Sequence, residues 1–269
     1  MHPFVILQHL LPQHLLSRII GTLAALEIRW IKNLAINAFI KTYGVNMQEA
    51  ESADTDTYRS FNHFFTRALR PGARQVTGHD IICPCDGTVS ELGDIVKNQL
   101  LQAKGISYSL EHLLARDHVE DYENGSFITI YLAPKDYHRV HTPAKCEINR
   151  SRYIPGRLFS VNQLTAKQIP GLFTKNERLV CELETQHSKI ALIMVGAMIV
   201  AGIKPVWRKS PYPPGRFHEQ NNFEDPQFAQ GSEVGHFQLG STVILLLKNQ
   251  VSWKVSPGET VQFGQGLVT

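Results

Sequence analysis

Near the C-terminus, Leu239-Gly240-Ser241-Thr242 leads directly into Val243-Ile244-Leu245-Leu246-Leu247, five apolar residues in a row. A run this short and this apolar reads as a buried strand. It places a glycine and a serine at the mouth of that strand. Glycine has no Cβ, so the peptide before Ser241 reaches geometries closed to other residues. The Ser241 hydroxyl can then approach the Gly240 carbonyl and attack its own backbone. A plain turn feeding a core strand explains the same four letters, so the rest of the chain must decide.

The chain has 269 residues, 43% of them hydrophobic and 19% charged. That is enough for one large globular domain, or a domain with an appendage. A formal charge of +3 is too small to argue for nucleic acid and is compatible with an anionic membrane surface. Cys83 and Cys85 form a C-x-C, while Cys146 and Cys181 stand alone. No spacing suggests zinc or a disulfide framework, so buried thiols and no metal are expected.

Before Glu27 the only charged residue is Arg18. The segment lacks the basic start and small-residue cleavage site of a secretory signal. Gln8, His9, Pro12, Gln13, His14 and Arg18 also make it a poor membrane span. Leu11, Leu15, Ile19 and Leu23, with Leu16, Ile20 and Leu26 beside them, recur at helical spacing. A helix lying in a membrane interface fits this pattern, with Arg18, Arg29, Lys32 and Lys41 near headgroups. The alternative is an ordinary amphipathic helix packed on the core with a solvated basic face.

Helical periodicity continues from Ile28 to Tyr43, where Gly44 ends it, and a short helix is expected from Ser60 to Leu69. Beyond Pro71-Gly72 the character changes to strands and turns, as in Gly125 to Leu132. Ile190 to Gly202 reads as a buried strand, bent or bulged at Gly196. Pro257 to Gly266 has the turn density of a small hairpin, and Asp86 to Val89 shows a similar turn-strand pattern. The proline-rich stretch from Lys204 to Phe223 reads as a connector, not a central strand. The expected class is α+β: helices over residues 1–70, then a mainly antiparallel β domain over 71–269.

Asp86 lies at a tight Pro-Cys-Asp-Gly turn, and His138 and His141 lie three residues apart between Pro134 and Pro143. Histidine can take a serine proton near neutrality, and a carboxylate can fix its tautomer. Asp86, His141 and Ser241 therefore form a candidate activated-nucleophile set. Residues three apart on a regular strand face opposite sides. His138 and His141 share a site only if the segment bends, or they serve different partners.

Several separated blocks carry a resemblance. They are Tyr58-Arg59-Ser60-Phe61-Asn62-His63-Phe64-Phe65-Thr66-Arg67, Pro84-Cys85-Asp86-Gly87, Asp136 to His141, Ser160-Val161-Asn162, Leu172 to Arg178, Val195-Gly196-Ala197 and Phe237 to Thr242. Together they make the chain similar to the bacterial, membrane-associated phosphatidylserine decarboxylases, with His63 where the family often has an acidic residue. The resemblance implies a proenzyme that cuts itself between Gly240 and Ser241 into residues 1–240 and 241–269. It implies that His141, oriented by Asp86, activates Ser241, which ends as a covalent pyruvoyl group. That group would form a Schiff base with phosphatidylserine and release CO2, giving phosphatidylethanolamine. His138 would serve the decarboxylation, with Tyr131 assisting. The implied setting is peripheral, on the cytoplasmic face of the cell membrane, with the two fragments associated as a heterodimer that itself dimerises, and no nucleic acid.

Two other classes stay open on the residues alone. One is a serine hydrolase using Asp86, His141 and Ser241 without self-cleavage, although Gly-Ser-Thr is not a Gly-x-Ser-x-Gly elbow. The other is a non-catalytic lipid-binding module. Its turns resemble those of biotinyl and lipoyl carriers, but no lysine sits at the hairpin tip.

Overall fold

In the computed structural model, which describes all residues except Met1, Thr77 and residues 199–201, 214–217, 224–226 and 239–240, helices come first. They are α1 (Pro3–Leu10), α2 (Gln13–Ala24), α3 (Arg29–Tyr43) and a short α4 (Phe61–Phe65). Gly44 ends α3 with φ +67°, the left-handed geometry that glycine adopts without strain. The fourth helix is shorter than the periodicity predicts. Ser60 caps its start, and the Thr66 amide and hydroxyl both close on the Asn62 carbonyl at its end.

The first two helices are turned inside out. Gln8, Gln13 and Ser17 are buried, while Leu7, Leu10, Leu15, Ile19 and Leu23 face outward. The inward glutamines replace lost water contacts with protein ones. Gln8 Oε1 accepts from the Ser160 amide at 2.7 Å, and Gln13 Oε1 accepts from the Leu158 amide at 2.8 Å. Of the basic residues near them, Arg29 pairs with Asp56, and Lys32 is buried against Asn33 and the Thr55 carbonyl. Among the described residues no helix is long and apolar enough to cross a membrane.

Strands dominate the remainder. They are β1 (Gly87–Asp94), β2 (Gln99–Ala103), β3 (Ile106–Ser109), β4 (Ser126–Leu132), β5 (Arg139–His141), β6 (Cys146–Ile154) and β7 (Arg178–Thr185). Then follow β8 (Lys189–Gly196), β9 (Ile203–Pro205), β10 (Glu219–Asn222), β11 (Gln227–Phe228), β12 (Glu233–Phe237), β13 (Ser241–Leu247) and β14 (Thr260–Val261). The pairing is antiparallel throughout the main sheet, which runs β10-β6-β7-β8-β13-β4-β1-β14 with β11 also on β6. Smaller sheets comprise β5-β12-β9 and β2-β3. The α+β class with mainly antiparallel sheets and N-terminal helices holds.

The apolar run over β13 has a direct cause. Val243, Leu245 and Leu247 pack into one core with Ile130, Leu132 and Met194, while Ile244 and Leu246 pack into a second with Phe127, Ile193 and Val195. Both faces of the strand are covered, so no position along it needs a polar side chain. The C-terminal segment departs from expectation. Pro257 to Gly266 does not fold on itself as a hairpin; β14 pairs with Gly87 and Thr88 of β1. Residues on either side continue the match, with the Cys83 amide donating to Gln265 and the Leu267 amide to Ile81. Two residues of strand are too few to pair alone, and β1 presents a free edge. The strand predicted from Ile190 to Gly202 ends at Gly196. All four cysteines are free and buried.

Candidate active site

Ser241 opens β13 and is fully buried. In register it faces Leu132 on β4 and Gly196 on β8, while Thr242 faces Tyr131 and Val195. Directly paired residues share a sheet face, and neighbours along a strand alternate. Ser241 therefore shares its face with Leu132 and Gly196, and Tyr131 belongs to the other face with Thr242. The structure does not bring the Tyr131 and Ser241 side chains together.

It does bring His138. Its Nδ1 lies 3.4 Å from Ser241 Oγ, and Phe65 stacks on the ring at 4.1 Å between centroids. The imidazole is fully buried, and that burial together with the nearby Arg67 charge pushes its pKa down to about 3. Arg67 also holds the turn that carries His138. Its Nη2 donates to the Lys135 and Asp136 carbonyls at 2.9 and 3.2 Å. Asp136 closes that turn by accepting from the Ala133 amide.

His141 has different partners. Its Nδ1 lies 2.9 Å from the Gly231 carbonyl, which can only accept, so Nδ1 carries the proton. In the neutral ring Nε2 then accepts from the Tyr137 hydroxyl at 2.9 Å. Burial lowers the His141 pKa, which favours this neutral form at pH 7. The two histidines thus serve different groups, as their three-residue spacing allows.

Asp86 is gripped by Arg74 on both carboxylate oxygens and accepts from the Phe263 amide at 2.8 Å. Arg74 reaches Glu49 as well. Among the described residues no hydrogen bond joins Asp86 to His141, or His141 to Ser241. Phe263 connects the first two: its amide sits on Asp86 and its ring stacks on His141 at 3.8 Å. Leu239 and Gly240, the upstream half of the predicted cleavage site, lie outside the described residues.

A cavity of about 190 Å³ opens beside Asp86, lined by Arg67, Arg74, Lys135 and Tyr137 among others. A larger one, about 920 Å³, lies by Leu247 at the far end of β13 and does not reach Ser241. No group of three or more metal-ligating side chains occurs among the described residues.

Arg74, Tyr137 and Phe263 escaped the sequence reading. Tyr137 stands inside a block already singled out, but Arg74 and Phe263 carry no local signal. The place of Phe263 depends on β14 lying beside β1, and that of Arg74 on its bonds to Asp86 and Glu49.

Comparison with known proteins supplies what geometry alone does not. The family model for phosphatidylserine decarboxylase matches residues 61–269, and a second, described as PSD, matches residues 3–44. The chain belongs to the phosphatidylserine decarboxylase family. The matched spans take in every site residue above and all three long helices. Among relatives, the phosphatidylserine decarboxylase proenzyme of Ectopseudomonas mendocina is 46% identical over 274 residues, 97% of this chain and 96% of that protein. The proenzyme of Pseudomonas fluorescens is 46% identical over 276 residues, 98% of this chain and 96% of that one. That of Alcanivorax borkumensis is 46% identical over 270 residues, 96% of this chain and 93% of its own.

Proposed function

We propose that this member of the family is made as a proenzyme that cuts itself between Gly240 and Ser241, and that Ser241 becomes a pyruvoyl group with which the enzyme decarboxylates phosphatidylserine to phosphatidylethanolamine. The observation that carries this reading is Ser241 itself. It is a fully buried serine at the head of a core strand, with an imidazole 3.4 Å from its oxygen and a glycine opposite. These surroundings fit a small carbonyl group at that position: water is excluded, and the space over Gly196 is taken by the Glu177 side chain.

Asp86, His141 and Ser241 carry the self-cleavage. Although His138 touches Ser241, a ring with a pKa of about 3 holds a proton poorly. Nε2 of His141 is unprotonated in the tautomer set by Gly231, and it serves as base once it exchanges the Tyr137 hydroxyl for that of Ser241. Asp86 acts through Phe263, which it holds against the His141 ring. The pyruvoyl ketone supplies condensation with the substrate amine and a sink for the electron pair left when CO2 departs. His138, beside the Ser241 position, would give a proton to the substrate carbon that has lost CO2; an anionic substrate offsets the Arg67 charge and makes its ring easier to protonate. Tyr131, paired with Thr242 next to Ser241, assists the decarboxylation. No metal is required.

The outward apolar sides of α1 and α2 support docking on the cytoplasmic face of an anionic membrane, with residues 1–70 as the membrane-facing part and 71–269 as the catalytic part. Fragments 1–240 and 241–269 remain associated, and two such units pair. The test is CO2 release from phosphatidylserine vesicles. The purified protein should release it, and Ser241→Ala should stay in one piece and release none. A cleaved protein that released no CO2 would contradict the assignment.

A further inference from the structure

Glu177 is a buried carboxyl that the scheme above leaves unused. It is fully buried, its Oε2 accepts from the Tyr153 hydroxyl at 2.8 Å, and its Oε1 has no hydrogen-bond partner among the described residues. That free oxygen lies over Gly196. A Cβ at Gly196 would come within 2.9 Å of both Glu177 Cγ and Oε1, so only glycine leaves the carboxyl where it is.

The strand geometry around Gly196 points this carboxyl at a specific bond. The Gly196 amide donates to the Glu177 carbonyl at 2.9 Å, and the Gly196 carbonyl accepts from Asn176 Nδ2 at 2.8 Å. Both peptide groups of Gly196 thus turn toward β7, away from β13. Its pairing with Ser241 is therefore the close, non-hydrogen-bonded kind, with Cα atoms about 4.5 Å apart. In such a pair the α-hydrogens face each other. The Ser241 α-hydrogen points at Gly196, and the Glu177 carboxyl lies over Gly196 on the face shared by the Ser241 side chain.

We infer that Glu177 is the base that removes the Ser241 α-proton during self-processing. This rests on cleavage proceeding through an ester between Ser241 Oγ and the Gly240 carbonyl carbon. Glu177, as carboxylate, takes the proton from Ser241 Cα. The electron pair of that C–H bond becomes the second bond between Cα and Cβ, and the Cβ–O bond breaks. The Gly240 carboxylate leaves, and Glu177 ends as the neutral acid. No outside reactant is needed.

The surroundings suit that role. Burial raises the Glu177 pKa to about 7, with the Tyr153 hydrogen bond acting against the rise, so a usable fraction is ionised near neutrality. Among the described residues no cation pairs with it: the Arg178 guanidinium turns away to the Leu113, His112, Thr174 and Asn176 carbonyls. Tyr212 stacks on Tyr153 and itself lies under Arg208, leaving Tyr153 as the direct partner. The rival base, His138, sits on Oγ and is too weakly basic to keep the proton.

Glu177→Gln tests this, with intact mass measured before and after hydroxylamine. The expected result is a chain that forms the ester but eliminates at least about 100-fold more slowly than wild type. Hydroxylamine should then split it at residue 240, releasing a fragment that begins with an unmodified serine. Wild type should yield a small fragment without a free amine. A Gln variant that forms that blocked fragment as fast as wild type would overturn the proposal, as would one resistant to hydroxylamine. Failure of wild type to cut at all would instead overturn self-cleavage. Tyr153→Phe gives a second reading with the carboxyl in place. The pH midpoint of elimination should move up, and an unchanged midpoint would count against Glu177.

Discussion

His138 touches Ser241 and is the weaker base, while His141 is better suited to hold a proton but is engaged with Tyr137. Basicity rather than contact decides between them. His141→Ala should abolish self-cleavage, visible as a single band on denaturing electrophoresis. His138→Ala should still cleave but decarboxylate at least about 100-fold more slowly. The reverse pattern would hand the cleavage to the ring that touches serine. Glu177 makes a separate prediction about stability. Its pKa rises from 4.5 to about 7 on folding, so the folded chain binds that proton more tightly than the unfolded one. The contribution, about 3 kcal/mol, is complete below the unfolded value and is lost as pH rises through the folded one. Urea unfolding of the uncut Ser241→Ala chain should show this fall between about pH 4.5 and 7, and adding Glu177→Gln should flatten it. Asp86, His141 and Ser241 stand out in the sequence as candidates by their local chemistry, and the role proposed for His138 comes only through the family resemblance. Phe263 and the role proposed for Glu177 could not, because each depends on a neighbour supplied by a distant strand, and Arg74 could not because its partners Asp86 and Glu49 lie in separate segments.

Among the elements, β13 was legible for a simple reason: five apolar residues in a row leave no face for water, and both faces are in fact covered. Leu245→Ala there should cost about 3 kcal/mol in urea unfolding of the uncut chain, since the side chain is fully buried. The C-terminal segment was misjudged because turn residues predict where a chain bends, not what it pairs with. Its partner is the Gly87-Thr88 edge, far up the sequence. The N-terminal periodicity predicted helices correctly, but periodicity alone does not say which face turns inward. Buried Gln8 and Gln13 decide that, through bonds to the Ser160 and Leu158 amides. Replacing Leu10 or Leu23, which are 77% and 58% exposed, with Gln should weaken binding to anionic vesicles about tenfold each without lowering the melting temperature. A lower melting temperature with unchanged vesicle binding would show that the helices serve the core instead.

At the scale of the whole molecule, the proposed cleavage before Ser241 would leave the short fragment held on both sides. β13 lies between β4 and β8, and the residues after it run against Ile81 to Val89, so both flanks of the short fragment are held by backbone pairing. The two pieces should co-elute in native buffer and separate only in denaturant. The α+β class was readable from the change in character after Pro71, whereas the strand order was not, since it depends on pairings between segments with no local mark. The proposed chemistry requires one covalent fact, a broken bond between residues 240 and 241 in the purified protein. Intact mass under denaturing conditions should give one fragment ending at Gly240 and one carrying a pyruvoyl group in place of Ser241. A single chain of 269 residues with an ordinary serine at that position would contradict it.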